Sequence, residues 1–320
     1  MRILIASCGT RNQLTRFFKE EPLTEWVVGV DCSPYAPALY EADAFYIVPR
    51  MTDPGYLTEI LEICKKERID TLLPLQEDEL MLMAENRTLF ETQGITVVVS
   101  AADTIELCRD KYLFYRYLKE RKLPCLKTWE SLQEFEKDYE EQRAAFPVFV
   151  KPKRGCGSIG ISRVDTLDLL RLLCRYSEEQ LMIQQFCTGQ EFGADIYVDL
   201  LDGGVKAVFV KEKLRMRAGE TEKSVSYKDE ELFGLILRTV EGLSLKGPVD
   251  MDIFRMDGAY YISEINPRFG GGYPHAYGCG VNFPKLLATN VQGEVNPPGI
   301  GNYEEKIYMM KYQDALIRKI

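Results

Sequence analysis

The chain has 320 residues, of which 46% are apolar and 28% are charged, and its formal net charge is −9. This length allows two or three domains, and the composition is ordinary for a soluble globular protein. The negative charge gives no general case for nucleic-acid binding, and no apolar run approaches the ~20 residues of a membrane span. We therefore expect neither nucleic acid nor a membrane as a partner.

Cysteine and histidine usage restricts the compartment and the chemistry. Nine cysteines are scattered along the chain, their number is odd, and none forms a C-x-x-C pair. This pattern favours reduced thiols in a cytoplasmic protein and argues against a disulfide framework or a zinc site. Residues 1–8 are expected to form a strand, since the apolar part of an export signal alone needs ~7–15 residues. The single histidine, His275, excludes a mechanism or metal site that needs two.

Residues 1–104 are predicted to alternate between strands and helices. The predicted elements are a strand at 2–6, a helix at 12–20, a strand at 26–30, a helix at 54–67, a strand at 71–74, a helix at 77–91 and a strand at 96–99. Strands separated by helices indicate a parallel sheet of the doubly wound kind.

The ends of these strands are the places where such a sheet would meet a ligand. The first turn holds only Gly9 rather than the G-x-G-x-x-G of dinucleotide-binding proteins, so a nicotinamide cofactor is disfavoured. Asp31 and the segment 76–79 are expected to border a cleft. Glu77 and Asp78 are explained more simply as a charged helix start, stabilised by the helix dipole.

A glycine-rich loop follows in the middle of the chain. The predicted elements around it are a helix at 105–121, a charged helix ending at 143, strands at 146–152 and 159–164, a helix at 167–176 and a strand at 181–186. The loop carries G-x-G-x-x-G at Gly155, Gly157 and Gly160, but a strand follows it, whereas a Rossmann turn enters a helix directly. A strand, a glycine loop and a second strand are typical of a flap over nucleotide phosphates, with Ser158 adding a hydroxyl and Lys151 a positive charge. A tight β-turn beside two incidental basic residues is the alternative.

A predicted hairpin in the last third of the chain carries acidic residues. The other elements predicted there are strands at 194–200 and 205–211, a polar loop at 215–224, a helix at 230–242 and a short helix near 282–290. Asp257-Gly258 between alternating apolar residues is a strong hairpin signal. A turn centred on Gly258 would place Asp252 opposite Glu264, with Asn266 just beyond, whereas a strict two-residue turn would put the acids on opposite faces. Two carboxylates and an amide oxygen held this close favour a hard cation such as Mg²⁺; a surface hairpin with solvated acids is the alternative.

Five motifs in this order resemble the ATP-grasp superfamily. They are Asp110-Lys111, Val150-Lys151-Pro152 with the glycine loop, Gln184-Gln185-Phe186 followed by Gly189-Gln190-Glu191, then Asp252, and Glu264-Ile265-Asn266-Pro267-Arg268. Within the superfamily the chain looks most like single-chain proteins similar to the carbamoyl-phosphate synthase large subunit, and the resemblance covers nearly the whole chain. It implies a mixed α/β and α+β fold. A doubly wound parallel-sheet (pre-ATP-grasp) domain would occupy 1–104, a small ATP-grasp subdomain 105–187, and a large subdomain with the metal and substrate site 188–320.

The resemblance also implies roles for single residues. The implied nucleotide-binding residues are Lys111 and Lys151 for the α- and β-phosphates, Gly155, Gly157, Ser158 and Gly160 over the phosphates, Gln184, Gln185, Phe186 and Cys187 at the adenine, and Glu191 at the ribose. The implied ligands of one or two Mg²⁺ ions, with Mn²⁺ as a substitute, are Asp252, Glu264 and Asn266. The implied catalytic residues are Arg268, Lys151 and Arg217. The implied substrate-facing residues are Arg215, Gly271, Gly272, Tyr273 and His275. For His275 a structural role is the alternative. The chain departs from the family pattern at Gln185, where Glu is frequent, and at Asp252, where a longer side chain is common.

The function implied by the resemblance is an ATP-dependent ligase. A carboxylate substrate would attack the γ-phosphate to form an acylphosphate, and an amine or similar nucleophile would then displace phosphate. A carbamoyl-phosphate synthase component is disfavoured, because that reaction uses two phosphorylations and the chain holds one ATP-grasp unit. An ATP-grasp kinase and a non-catalytic nucleotide-binding regulator are further alternatives, although a pure binder need not keep Arg268. The expected partners are a small-molecule carboxylate and an amine, with a homodimer as one assembly the sequence allows.

Overall fold

The computed structural model describes residues 1–155 and 160–319 and arranges them around three β-sheets. The strands, in chain order, are β1 (Arg2–Ala6), β2 (Trp26–Asp31), β3 (Ala44–Ile47), β4 (Thr71–Pro74), β5 (Thr96–Val97), β6 (Thr128–Trp129), β7 (Val148–Pro152), β8 (Ser162–Val164), β9 (Leu181–Gln185), β10 (Gln190–Val198), β11 (Val205–Arg217), β12 (Glu220–Tyr227), β13 (Gly247–Met256), β14 (Ala259–Asn266) and β15 (Tyr308–Met310). The helices are α1 (Asn12–Glu20), α2 (Tyr56–Glu67), α3 (Glu77–Glu85), α4 (Arg87–Glu91), α5 (Ala102–Arg109), α6 (Lys111–Glu120), α7 (Leu132–Glu140), α8 (Leu167–Tyr176), α9 (Glu230–Val240), α10 (Tyr273–Gly278) and α11 (Phe283–Val291), with a 3₁₀ helix at Pro37–Glu41.

The N-terminal sheet has five parallel strands in the order β3-β2-β1-β4-β5. Ile3, Leu4 and Ile5 are all fully buried, because helices cover both faces of a parallel sheet. The predicted doubly wound sheet is therefore confirmed, although the sequence had not identified β3. The strand order reverses between β1 and β4, and the segments that follow these two strands meet at one edge.

A buried carboxyl group, Glu79, lies beneath this edge. It is fully buried on α3, accepts hydrogen bonds from Ser7 Oγ at 3.0 Å and from the Tyr56 hydroxyl, and its Oε2 has no partner among the described residues. Burial raises the pKa of Glu79 to about 7, and hydrogen bonds from Tyr56 and Ser7 oppose the shift. The folded protein therefore holds this proton more tightly than the unfolded chain does.

Glu79→Gln is expected to flatten the pH dependence of stability. Because the pKa of Glu79 is higher in the folded state than in the unfolded state, its stabilising contribution is complete below the unfolded pKa and is lost as the pH rises towards 7. Between pH 5 and 8 this loss amounts to about 2.5 kcal/mol. Urea unfolding of the wild type and the variant at both pH values measures it. Glu85→Gln, at an exposed position of the same helix, is the control, and an unchanged slope in Glu79→Gln would contradict the assignment.

The predicted helix at 105–121 is two helices, α5 and α6, which meet at Asp110. The Asp110 side chain accepts hydrogen bonds from the backbone N–H groups of Tyr112 and Leu113, both at 3.0 Å, and so caps a new helix start. Lys111 thereby becomes the first residue of α6. The predicted helix at 77–91 is likewise interrupted, at Asn86.

The small sheet contains four antiparallel strands in the order β6-β9-β7-β8. Val150 and Ile183 pair across β7 and β9 and are buried in the core of this unit together with Phe135. Neighbouring residues of a strand point to opposite faces, so the next pair, Lys151 and Met182, lies on the face turned away from that core.

The large sheet has six antiparallel strands in the order β14-β13-β10-β11-β12-β15. The predicted polar loop at 215–224 is instead the end of a β-hairpin, because β11 continues to Arg217 and pairs there with Glu220 of β12. Ala218 and Gly219 form its turn, with φ values of 48° and 76°. The many charged side chains led the sequence analysis to predict a loop here. Strands near the edge of a sheet, however, tolerate charged residues on their exposed side.

The segment after Gly272 is more regular than the single short helix near 282–290 that the sequence predicts. It forms α10, α11 and the edge strand β15. Each sheet uses a continuous stretch of the chain, and a division into domains near residues 104 and 187 remains a proposal. No helix in the described ranges 1–155 and 160–319 is long and apolar enough to cross a membrane.

Candidate functional site

The hairpin formed by β13 and β14 reverses at a two-residue turn. Met256 pairs with Ala259, so only Asp257 and Gly258 lie in the turn, and their φ values are 50° and 81°. Both values fall in the left-handed region, which glycine adopts freely and Asp adopts more readily than most residues. Continued without a break, this register would put the acids further along the strands on opposite faces of the sheet.

A β-bulge at Ser263 changes that register. Ile253 pairs with Ile262, but the next residue, Asp252, pairs with Glu264, which leaves Ser263 as the extra residue. One extra residue moves every later side chain of a strand to the other face. Asp252 and Glu264 therefore stand directly opposite each other, as the sequence led us to expect, although a bulge rather than the turn produces the pairing.

Asp250 and Asn266 form the second pair beyond these acids. The Asn266 amide donates to Asp250 Oδ2 across 3.4 Å. Sequence reasoning gave Asp250 no role, although its period-two spacing from Asp252 places both side chains on one face. Asp250 therefore adds a third carboxylate to this end of the hairpin.

Lys213 joins two carboxylates of the large sheet. Its Nζ lies 2.8 Å from Glu191 Oε1 and 2.6 Å from Asp252 Oδ1, and only 4% of its side chain is exposed. Burial would lower the pKa of Lys213, but Asp252 and Glu191 outweigh burial and raise it above its ordinary value. The sequence missed Lys213 because the predicted strand ended at residue 211; continued alternation along β11 was the signal that could have found it.

Lys151 approaches the same acids from the small sheet. Its side chain is buried, and it has no hydrogen bond within residues 1–155 and 160–319. Burial lowers the pKa of Lys151, and the charge of Lys111 adds to this, while Glu264 and Asp252 act in the opposite direction. A lysine whose side chain is buried with two carboxylates nearby fits an anion supplied by a ligand.

The second lysine, Lys111, contacts the start of the glycine loop. Its Nζ donates to the Gly155 carbonyl at 2.5 Å. Gly155 and Gly160 have φ values of 121° and 70°, which side chains other than glycine rarely adopt. The other two candidates in this loop, Gly157 and Ser158, lie outside the described residues.

Gln184 contacts the protein rather than open space. Its amide nitrogen donates to Thr128 Oγ1 at 3.1 Å and its side chain is buried, and a contact of Gln184 with adenine stays a prediction. Gln185 is exposed at the end of β9, where Phe186 and Cys187 follow. Roles for these three residues stay predictions.

Arg268 connects the hairpin to the N-terminal sheet. Its guanidinium nitrogens lie 3.2 Å from Glu77 Oε1 and 3.5 Å from Asp250 Oδ2. The side chains of Arg268 and Glu77 are each only 14% exposed. Glu77 is the first residue of α3, in agreement with the predicted charged helix start. Its carboxylate also accepts a hydrogen bond from Arg268, which is 191 residues away along the chain.

The glycine run after Arg268 is packed against charged side chains. A Cβ on Gly271 would lie 2.8 Å from Glu220 Cδ, and a Cβ on Gly272 would lie 2.6 Å from Lys211 Cε. Arg11, at the edge of the N-terminal sheet, lies 3.0 Å from Glu220. Close approach of these side chains therefore explains the glycines, and contact with a substrate stays a prediction for Gly271 and Gly272.

Tyr273 is a structural residue. Its hydroxyl accepts a hydrogen bond from the Phe283 N–H at 2.7 Å and donates to the Val281 carbonyl at 3.1 Å. Only 1% of its surface is exposed. The expected substrate-facing orientation is therefore wrong for this side chain, because its polar atom is already used between α10 and α11.

His275 is also buried and satisfied. Its Nδ1 is 2.8 Å from Ser224 Oγ and its Nε2 is 3.0 Å from the Ile307 carbonyl. Burial, together with the charge of Lys211, lowers the pKa of His275 to about 4. A neutral ring fits both contacts, with Nε2–H donating to Ile307 and Nδ1 accepting from Ser224. The structural alternative is thus supported over a substrate contact.

Arg215 and Arg217 project from the outer part of the β11–β12 hairpin. Their side chains are 63% and 56% exposed, and both form ion pairs with Glu222, at 2.8 and 3.3 Å. The structure does not join them to Asp252 and Arg268. Their phosphate or substrate contacts stay predictions.

The acidic residues of the β13–β14 hairpin suit a metal ion that is also bound by the phosphates of a ligand. Within residues 1–155 and 160–319 no group of three or more His, Cys, Asp or Glu side chains is placed to bind a metal ion without help. Asp252 and Glu264 supply two opposed carboxylates, and Asn266 supplies an amide oxygen nearby. Mg²⁺ usually takes one or two protein carboxylates and completes its shell with water and phosphate oxygens, so this donor set fits it.

Comparison with known families matches two consecutive segments of the chain. Residues 3–98 match the model of a PylC-like N-terminal domain, and residues 108–272 match that of an ATP-grasp domain. The chain belongs to the ATP-grasp family. The predicted resemblance is thereby confirmed, and the acids of the β13–β14 hairpin lie inside the matched ATP-grasp segment.

Individual relatives of this ATP-grasp chain are more distant. A D-alanine–D-alanine ligase from Mycolicibacterium vanbaalenii is 29% identical over 182 residues, which cover 48% of this chain and 49% of the relative. The chain thus spans about half the length of the curated relatives it matches. An N5-carboxyaminoimidazole synthetase from Staphylococcus aureus superposes with a TM-score of 0.73 at 15% identity, covering 92% of this chain and 78% of that one. An L-amino acid ligase from Bacillus licheniformis superposes with a TM-score of 0.68 at 19% identity, covering 93% and 78%. At these identities the two structures establish a shared fold.

Proposed function

We propose that this ATP-grasp protein is an ATP-dependent ligase that joins a carboxylate to an amine or similar nucleophile. The observation that carries the proposal is the convergence of Lys151 from the small sheet with the opposed acids Asp252 and Glu264 of the large sheet. A largely buried lysine beside two carboxylates fits a polyphosphate and its metal ion better than a neutral ligand.

In the first step a carboxylate oxygen of the substrate attacks the γ-phosphorus of ATP. The bond to the β,γ-bridging oxygen breaks, ADP leaves, and an acylphosphate forms. Lys111 and Lys151 hold phosphate oxygens, and Arg268 stabilises the charge that spreads over the transferring group. Asp252, Glu264 and Asn266 would hold Mg²⁺, which supplies charge neutralisation when bound. One or two ions, and Mn²⁺ in place of Mg²⁺, are parts of the proposal.

In the second step the amine nitrogen attacks the acyl carbon, inorganic phosphate leaves, and the nitrogen loses a proton. The names of the ligases that this chain resembles favour amino acids as the two substrates. A cytoplasmic location, consistent with the free cysteines of the described residues, and a homodimer complete the proposal. Light scattering of the purified protein tests the dimer.

Product release tests the proposal directly. The protein is incubated with ATP, Mg²⁺ and a panel of amino acids, singly and in pairs, and ADP and phosphate are measured separately. A ligase releases both products when an acid and an amine are present together. A kinase releases ADP without phosphate, and a nucleotide-binding regulator releases neither, so each of these results contradicts the proposed reaction.

Glu77→Gln is expected to lower kcat for ADP formation by roughly tenfold while leaving the KM for ATP nearly unchanged, because Arg268 acts on the transferring phosphoryl group. The substitution removes the charge that holds one guanidinium nitrogen 3.2 Å away. Steady-state kinetics with ATP as the varied substrate measures the effect.

Asp78→Asn is the matched control for Glu77→Gln. Asp78 is the next residue of α3, its side chain is 65% exposed, and it pairs with Arg109 instead. The control removes the same charge from the same helical turn. Equal kcat values for the two variants would show that Glu77 does not position Arg268.

A further inference from the structure

Lys213 spans three strands to reach its partners. It leaves β11, passes over β10 and contacts Asp252 on β13, in addition to Glu191 on β10. Gly193 lies beneath this path, since a Cβ there would be 3.1 Å from Lys213 Cε. Glycine in the middle of a strand weakens it and often marks a close approach. Lys211 Cε would lie 3.2 Å from the same Cβ, so glycine at this position leaves room for both lysines, and Lys213 reaches the acids of the hairpin across it.

The ammonium already takes the place of a cation in the free protein. Its Nζ is 2.6 Å from Asp252 Oδ1, an acid that the proposed function assigns to the metal ion, and 2.8 Å from Glu191 Oε1, the acid assigned to the ribose. A divalent ion that approached Asp252 would meet this positive charge at short range in a largely buried setting, where repulsion is strong. A bound triphosphate reduces this repulsion, because its oxygens offer Lys213 another anionic partner and free Asp252 for the metal ion.

We propose that Lys213 is a specificity-determining residue that makes this site select a divalent cation bound to a nucleoside triphosphate over the free cation. The inference rests on the proposed function, because it takes Asp252 as a metal ligand. Lys213 neutralises Asp252 and Glu191 until the nucleotide arrives, and the metal ion then enters together with the phosphates. A bare divalent ion binds weakly because Lys213 holds the first carboxylate it would use.

Titration calorimetry with Mn²⁺ tests the inference without turnover. Mn²⁺ alone, and its preformed complex with β,γ-methylene ATP, are titrated into the wild type and into Lys213→Met. The wild type is expected to bind the complex at least about tenfold more tightly than free Mn²⁺. Lys213→Met is expected to bind free Mn²⁺ at least about tenfold more tightly than the wild type does. In this variant no ammonium pairs with the carboxylates of Asp252 and Glu191. Lys213→Gln provides the same measurement if the methionine variant does not fold.

Lys206→Met is the matched control, because Lys206 also lies on β11 and pairs with an acid, Asp202, at 2.6 Å. It should bind free Mn²⁺ as weakly as the wild type. Adding Asp252→Asn to Lys213→Met should remove the gained Mn²⁺ binding, which locates the ion at this site. If the wild type binds the Mn²⁺–nucleotide complex but Lys213→Met gains no affinity for free Mn²⁺, the inference about Lys213 is overturned alone. If the wild type binds neither, the proposed function is overturned with it.

Discussion

Asp252→Asn and Glu264→Gln are each expected to lower kcat/KM for ADP formation by roughly 10²- to 10³-fold, the range found when one preorganised group that stabilises transition-state charge is lost. The two carboxylates stand opposite each other on β13 and β14 and belong to the proposed metal site. An amide keeps the shape of each side chain but removes the negative charge that a hard cation needs. ADP release at saturating amino acid and varied Mg²⁺ measures the loss, and higher Mg²⁺ should restore part of it.

Asp257→Asn is the matched control for these two variants. Asp257 lies in the turn of the same hairpin, is exposed, and has a φ of 50°, which Asn also tolerates. It changes the same functional group on the same element, at the end away from the paired acids. Wild-type activity is expected for this control. If Asp252→Asn or Glu264→Gln kept full ADP formation, the proposed metal site would be wrong.

Lys151→Met is expected to have opposite effects on activity and stability. Lys151 is only 6% exposed and has no hydrogen bond within residues 1–155 and 160–319. Replacing a buried charge of this kind by an apolar side chain of similar volume should raise the free energy of unfolding by about 1–3 kcal/mol. The same change should lower ADP formation by roughly 10²-fold or more, since phosphoryl transfer depends on positive charge placed at the phosphates. Urea unfolding and initial rates measure the two effects.

Lys206→Met separates this effect from the general consequence of removing a lysine from a strand. Lys206 is 9% exposed, and its ammonium is paired with Asp202. Its replacement is expected to lower stability or leave it unchanged, with normal ADP formation. A Lys151→Met protein that is less stable than the wild type would show that Lys151 has a structural role instead of being held ready for an anionic ligand.

The Lys151→Met and Lys206→Met variants also test how much a bound nucleotide raises the unfolding temperature. A ligand that binds only the folded protein raises the unfolding temperature with its concentration. The wild type should therefore gain more from a nonhydrolysable ATP analogue with Mg²⁺ than Lys151→Met does. Lys206→Met should respond as the wild type does, because Lys206 lies outside the proposed phosphate contacts.

Patterns in the local sequence were sufficient to predict most of the strands and helices of the protein and the candidate residues of this site. Alternation of strands and helices led to the parallel N-terminal sheet, and the positions of β1, β4, α1 and α8 agree with the predicted ranges. The Asp257-Gly258 turn was recognised because few residues accept a positive φ. The ordered motifs that end at Arg268 led to the ATP-grasp family, which the family model confirms. These features depend on neighbours in the chain, so short-range spacing contains the information.

Only the tertiary structure decided which of these residues meet. The pairing of Asp252 with Glu264 depends on a bulge at Ser263, which the alternation of residues along the hairpin did not reveal. The contact of Arg268 with Glu77 depends on how the N-terminal sheet and the hairpin pack together. Tyr273 and His275 follow the site in sequence but turn inward, because their hydrogen-bond partners lie on other elements. Packing between distant parts of the chain determines these contacts, and they cannot be predicted from the spacing of residues along the sequence.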